Sequence, residues 1–304
     1  VFAAAAKTKA AAGVEAVAGG LTMGDPRSFI EIVDNLITSS RARLPVFNTT
    51  VARIQQEIAK DEPDLRRIEN LIVSDQALTA EVLRYSNSSF YKGLNQVATV
   101  RNAIVRLGVN EVSNIVMTVT HESQFRSKDP FLHSVMSKLW RHALGTAVAA
   151  HWLCGHCGLH AIAHEAFFAG LLHDVGKLFI LTVIDDLMKS GRLPINPSVS
   201  LLMEAMDHLH TGHGYTLMQH WNLPEKYAEV ARSHHAEAPD AENYLSLAVR
   251  LADKTCNKMG IGLRQDSATV LLATPEANEL HMTEVDLAKM EIMLEDTQAL
   301  GAKN

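Results

Sequence analysis

Three cysteines in 304 residues, Cys154, Cys157 and Cys256, are too few and of the wrong parity for a disulfide framework. They suit a reducing compartment, and a cytoplasmic protein is expected. Positive charge is not in excess. With 28 Lys and Arg against 34 Asp and Glu the net charge is −6, so nothing draws the chain as a whole onto a phosphate backbone, and no nucleic-acid partner is expected. No uninterrupted apolar run reaches about 18 residues, so no membrane span is expected. Strand patterning is missing as well, because apolar and polar residues nowhere alternate strongly enough to compete with helical spacing.

What the sequence has is hydrophobic residues, 47% of the total, at helical spacing. Phe29, Ile32, Val33, Leu36 and Ile37 share one face of a helix that Asp25 caps and Pro26 opens. Val51, Ile54 and Ile58 predict a second helix, Leu65, Ile68, Leu71 and Ile72 a third, and Leu78, Val82 and Leu83 a fourth. Val100, Ala103, Ile104 and Leu107 run up to Gly108, which is expected to cap that helix in the left-handed conformation. Val112, Ile115 and Val116 open the next. Beyond Asp129 and Pro130 a long helix is expected over residues 131–154. The expected organisation is an Ala-rich linker (1–24), an N-terminal helical lobe (25–130), a second lobe (131–275), and an amphipathic helix with a tail (276–304). The linker does not read as a signal peptide, since Gly13 and Glu15 interrupt its apolar stretch at residues 10–18, and it is compatible with an upstream receiver or sensor domain.

Histidine is concentrated: 14 of the 15 lie between His121 and His235. In their midst, residues 171–177 read Leu-Leu-His-Asp-Val-Gly-Lys. An adjacent imidazole and carboxylate can serve one divalent ion. On a continuous helix His173 and Asp174 sit about 100° apart at its edge. Lys177, one turn past His173, then shares the histidine's face and can meet a phosphate oxygen. His142, His210, His213, His234, His235 and Asp253 come from separate predicted helices. If these converge, their imidazoles and carboxylates suit one or two divalent ions, whether iron, manganese, zinc or nickel, and such ions bring the pKa of water toward neutrality.

Each residue also has a plainer use. A His-Asp pair can be a buried hydrogen-bonded pair in which Asp fixes the imidazole tautomer. His213 competes with His210, adjacent His234 and His235 diverge on a helix, and Lys177 can extend into water. Cys154, His156, Cys157 and His160 make half a zinc knuckle and read as packing. Asn87, Phe90 and Tyr91 read as a helix end and its anchors, and Met282 to Leu294 as one face of the terminal helix.

Taken in order, His142, His173-Asp174, His210, His234-His235 and Asp253 resemble the ligand series of the HD phosphohydrolase superfamily. Glu165-Ala166-Phe167-Phe168-Ala169-Gly170-Leu171-Leu172-His173-Asp174-Val175-Gly176-Lys177 resembles the core signature of HDOD domains, the HD-related output domains of bacterial signalling proteins. Leu44-Pro45, Ser74-Asp75-Gln76-Ala77-Leu78, Asn87-Ser88-Ser89-Phe90-Tyr91 and Ala103-Ile104-Val105-Arg106-Leu107-Gly108 are similar to that family's N-terminal lobe. His210-Thr211-Gly212-His213-Gly214, Trp221-Asn222-Leu223-Pro224 and His234-His235 are similar to its C-terminal half, giving a span of roughly 44 to 262.

The resemblance implies an all-α, HD-like helical bundle, with the N-terminal lobe packed on a metal-site lobe. It also implies a signal-transduction output module acting through a protein partner. HDOD domains have lost some superfamily ligands, whereas this chain keeps a candidate at each position, which implies bound metal. The alternative is a metal-dependent phosphohydrolase or phosphodiesterase acting on a phosphate ester, with Asp174 and Lys177 as catalytic residues. Lys138 stands where the related HD-GYP phosphodiesterases carry a carboxylate, and residues 236–244 lack a Gly-Tyr-Pro segment. Neither a third ion nor cyclic di-GMP hydrolysis is therefore expected.

Overall fold

Most helices begin where the sequence supplies a side-chain acceptor for the free N–H groups of a first turn. Asn48, Asp64, Asp75, Thr99, Asp129, Ser198 and Asn243 each accept such a bond. The structure, a computed structural model, describes residues 26–38, 47–88, 91, 96–191, 193 and 197–301. The expected cap Asp25 and the motif residues Leu44-Pro45 and Ser89-Phe90 lie outside them.

The fold is all-α, and no strand occurs among the described residues. Its helices are α1 (Pro26–Thr38), α2 (Thr49–Ile58), α3 (Leu65–Val73), α4 (Gln76–Ser86), α5 (Val100–Leu107), α6 (Val109–Glu122) and α7 (Pro130–His156). There follow α8 (Ala163–Leu172), α9 (Val175–Lys189), α10 (Val199–His220), α11 (Glu225–Ser233), α12 (Tyr244–Lys258), α13 (Pro275–Glu279) and α14 (Glu284–Gly301).

The expected stripes form the core, with differences that have local causes. Phe29, Val33, Val51, Ile54, Ile68, Ile72, Leu78, Val82, Ala103, Val112, Ile115 and Val116 are buried, but Leu65 opens its helix 48% exposed and leaves the packing to Ile68 and Ile72. Gly108 has φ 87° and ψ 158°, a positive φ as expected but an extended ψ. It does not prolong α5 as a left-handed cap; it turns the chain straight into α6.

α7 is the spine of the C-terminal half. Asp129 accepts the Leu132 N–H at 2.9 Å and Pro130 occupies the first turn, so the helix starts at the expected break and runs two residues past the expected end. It packs against α8, α12 and α14. Met282, Leu287, Met290 and Leu294 are buried, which gives the terminal helix the apolar face that the sequence suggests. α1 packs against α10 and α9, and Asp34 accepts a bond from His213 at 2.8 Å. His160–Lys189 is apolar and long enough to cross a membrane, with mean hydropathy 1.7, yet 89% of its most apolar window is buried inside this fold.

α9 and α10 touch backbone to backbone at Gly176. A Cβ there would sit 2.0 Å from the His210 carbonyl oxygen and 2.9 Å from the Gly214 nitrogen. Gly176→Ala is predicted to cost about 3 kcal/mol or more, because neither partner is a movable side chain. Gly212→Ala, on the same α10 with nothing within 4 Å of its Cβ, is predicted to be neutral or mildly stabilising. Urea denaturation of the two variants checks this, and equal midpoints would contradict it.

Candidate metal centre

Five segments deliver the candidate ligands to one place. His142 comes from α7, His173 and Asp174 from the α8–α9 junction, His210 from α10, His234 and His235 from the end of α11, and Asp253 from α12. The junction corrects the expectation of a continuous helix through residues 171–177. α8 ends at Leu172 and α9 begins at Val175, with Asp174 at φ −102° and ψ 15° between them. The break turns both side chains inward. Lys177, in the first turn of α9, places its ammonium 2.6 Å from Asp174 Oδ2.

The histidines are oriented by carbonyl groups. The Nδ1 atoms of His142, His173, His210 and His234 contact the carbonyl oxygens of Ile261, Gly170, Met206 and Ala231 at 3.0, 2.7, 2.7 and 2.9 Å. A carbonyl only accepts, so each Nδ1 carries the hydrogen, and whenever the ring is neutral its Nε2 presents a lone pair. Those lone pairs meet other acceptors. His142 Nε2 lies 3.0 Å from Asp253 Oδ1 and 3.6 Å from Asp174 Oδ2, and His173 Nε2 lies 3.4 Å from Asp174 Oδ2. His210 and His234 approach Asp174 Oδ1 at 3.5 and 3.4 Å, and their own Nε2 atoms are 3.4 Å apart.

Two ligand groups result: His142, His173 and Asp253, and Asp174, His210, His234 and His235, with the ligand atoms of each group within 4.8 Å of one another. Among the described residues these are the groups of three or more such side chains that could hold an ion. Asp174 is common ground, one oxygen facing each group. His173 Nε2 and Asp174 Oδ1 are buried without a hydrogen-bond partner, a costly arrangement unless a cation satisfies them.

The electrostatics agree. Burial alone would raise the Asp174 carboxyl, but the charges of His173 and Lys177 hold it well below the usual carboxylate range. Asp253 is likewise lowered, its burial outweighed by the hydrogen bond and charge of His142. Burial pushes His210 down to about 3 and also lowers His234, which keeps them neutral and able to ligate. His173 is raised, because the Asp174 carboxylate overcomes the burial penalty.

The family model for the HDOD domain matches residues 44–237. The chain belongs to the HDOD domain family. An HDOD domain protein of unknown function from Geobacter sulfurreducens is similar in structure, with a TM-score of 0.71 at 22% identity, covering 91% of this chain and 97% of that one. A Shewanella amazonensis SB2B protein provisionally named a metal-dependent phosphohydrolase superposes with a TM-score of 0.67 at 17% identity, covering 90% and 100% of the two chains. A Marinobacter aquaeolei VT8 protein provisionally named a signal transduction protein gives 0.64 at 19%, covering 94% and 68%. At these identities the likeness is one of fold. The chain spans 42% and 20% of the length of the curated relatives it matches.

Asp253 lies beyond the residues matched to the HDOD family, yet it joins the cluster. His213 does not: it reaches Asp34 at 2.8 Å and leaves the position to His210. His234 and His235 both turn toward the cluster because α11 ends at Ser233 before them, although His235 is exposed. Lys138 is exposed. Among the described residues Cys154 and Cys157 join no group of three or more side chains that could hold an ion. Cys157 Sγ lies 3.7 Å from the Leu280 carbonyl oxygen, and His156 pairs with Asp286 at 3.0 Å, which fastens the end of α7 to the C-terminal segment. Asn87 braces the end of α4 as expected, bonding Leu83 and Val97.

Sequence reasoning missed several neighbours of the site. For one of them the available signal was one-turn spacing from a ligand on the same helix: Asn257, four residues past Asp253, donates to Asp253 Oδ1 at 2.8 Å. A narrow open cleft leads from solvent to His142, Asp174 and Lys177, with Arg264, Asp207 and Asn257 among its polar lining and Leu139, Met203, Met206 and Leu263 as apolar walls.

Metal-free protein is predicted to lose stability as the pH falls below neutrality. An unfolded imidazole titrates at 6.5, whereas folded His210 stays neutral to about 3. Between those values the unfolded chain binds a proton that the folded chain refuses, so stability present at neutral pH is lost; His210 alone removes on the order of 2 kcal/mol by pH 5. Buried His121 acts in the same sense, and His173, shifted upward, offsets part of the loss. Urea unfolding at about pH 7.5, 6 and 5 checks this. A midpoint that rises on acidification would contradict it.

Proposed function

We propose that this chain is an HDOD signal-transduction module built around a divalent metal centre, with its output delivered through contact with a protein partner. The observation that carries the metal is the meeting of two ligand groups on Asp174, with buried lone pairs of His173 and Asp174 left unpartnered. His142, His173 and Asp253 would hold one ion, and Asp174, His210, His234 and His235 a second, with Asp174 shared between them. The donor set of imidazole and carboxylate suits iron, manganese, zinc or nickel. Residues 131–275 are the lobe that holds the metal in this reading, joined from outside that span by α1 and Glu276. The signalling role rests on the family and is supported by the Marinobacter neighbour's provisional name.

A second reading, metal-dependent phosphohydrolase, is favoured by the cleft. A purely structural ion needs no access, yet this cleft opens onto His142, Asp174 and Lys177. The Shewanella neighbour's provisional name supports it as well. Bound at this centre, a divalent ion supplies the charge that polarises a phosphoryl oxygen. Asp174 and Lys177 are then the residues at the reacting end of the cleft. Lys177, 13% exposed, holds its ammonium where a phosphate ester entering the cleft would meet it.

Elemental analysis of protein purified without added metal is predicted to find a transition metal. Manganese or iron at about a hundred times its dissociation constant should stabilise the stripped protein by about 2.7 kcal/mol, an effect lost in His173→Ala and Asp174→Ala variants that remain helical. Absence of metal together with an unchanged melting temperature sinks the metal reading. For the metal-loaded protein, turnover of generic phosphomonoesters or phosphodiesters that Lys177→Ala and Asp174→Ala abolish selects the hydrolase. Lack of turnover at full occupancy selects the output module.

A further inference from the structure

We propose that Arg250 and Glu276 form a buried clamp that positions His234 and His235 for metal. This inference rests on the metal reading above. The two histidines are the central residues of a turn closed by the Ala236 N–H, which donates to the Ser233 carbonyl at 2.8 Å. The His234 N–H still closes a helical bond to the Val230 carbonyl at 3.0 Å, but from His235 to the start of α12 at Tyr244 no helical ladder fixes the direction of the chain.

Arg250 supplies the fixing contacts. Its Nη1 donates to the Ser233 carbonyl at 2.9 Å and its Nη2 to the Ala236 carbonyl at 2.7 Å, so the guanidinium grips the turn on both sides of the histidine pair. Its Nε donates to Glu276 Oε1 at 2.7 Å, and the other carboxylate oxygen takes the Lys254 ammonium at 2.5 Å. Arg250 is 3% exposed and Glu276 is fully buried.

The chemistry fits a positioning role better than a stabilising one. Two buried charges cost desolvation that an apolar pair of similar volume avoids, so stability alone does not call for them. A planar fork, however, can hold two carbonyls at a set separation, which a lysine cannot. Placement strengthens the case. Arg250 is three residues before Asp253 on α12, so one helix face provides both a ligand of one group and the grip on two ligands of the other. Neither Arg250 nor Glu276 touches the cluster itself, and both lie beyond the residues matched to the family.

Cobalt(II) tests this, because its visible spectrum reports ligand number and geometry. In Arg250→Met/Glu276→Met both buried charges are removed together, and the Lys254 ammonium, 32% exposed, is released to solvent. The metal-free melting temperature should stay at or above that of the unaltered chain, while cobalt affinity falls about ten- to a hundred-fold and the spectrum changes. Arg250→Lys, which keeps the charge beside Glu276 but not the fork, should shift the spectrum in the same direction and carries the test if the double variant does not fold. In a His234→Ala/His235→Ala background, clamp removal should weaken cobalt binding by less than about two-fold, since its targets are gone. If the unaltered chain binds cobalt and the clamp variants match it in affinity and spectrum, the clamp is refuted and the metal reading stands. If the unaltered chain binds none, the metal reading falls and the clamp with it.

Discussion

Lone pairs that face one another inside a protein are costly unless a cation lies between them, and the C-terminal half of this molecule brings seven His and Asp side chains into such an arrangement. Four imidazoles spend their Nδ1 hydrogens on backbone carbonyls and aim unprotonated nitrogens at two carboxylates and at each other. The His210 and His234 nitrogens meet at 3.4 Å with no hydrogen available to either. Protons can relieve part of the conflict, as the raised His173 and the Lys177–Asp174 contact show. A proton serves one pair, however, whereas a divalent ion serves three or four donors at once.

Holding that many acceptors together demands rigid neighbours. The close approach of α9 and α10 at Gly176 sets the His210 ring against Asp174, and Gly170 similarly lets α8 lie against the backbone of Ala147 on α7. Packing of this kind has no slack, since backbone cannot rotate out of the way as a side chain does. The turn that carries His234 and His235 is different: His234 is tied to the end of α11 by the Val230 and Ala231 carbonyls, and Arg250 bonds the Ser233 and Ala236 carbonyls on either side of the pair. The cluster thus combines side chains fixed on helices with a pair on a turn, next to the cleft that opens onto Asp174.

Much of this was legible in the residues. Helical spacing of apolar residues predicts an all-α chain, and Asp129-Pro130 marks the start of the spine helix because both residues act within a single turn. The candidate set was legible because histidines on apolar helices are conspicuous, and the seven residues singled out fall in the cluster. What local patterns could not show are effects of distant contact. Residues 171–177 read as unbroken helix, but the chain turns between His173 and Asp174 where α9 closes on α10. The competition between His210 and His213 is decided by Asp34, 179 residues away. Arg250 carries no local signal of its carbonyl partners, which lie 17 and 14 residues before it in the chain.

Anomalous diffraction from crystals grown with manganese tests the central claim most directly. The account predicts one or two peaks inside the cluster, within about 2.0–2.3 Å of the histidine nitrogens and carboxylate oxygens, with Asp174 bridging where two are present. A map with full-length ordered side chains and no peak near Asp174, or with peaks confined to surface carboxylates, would contradict it.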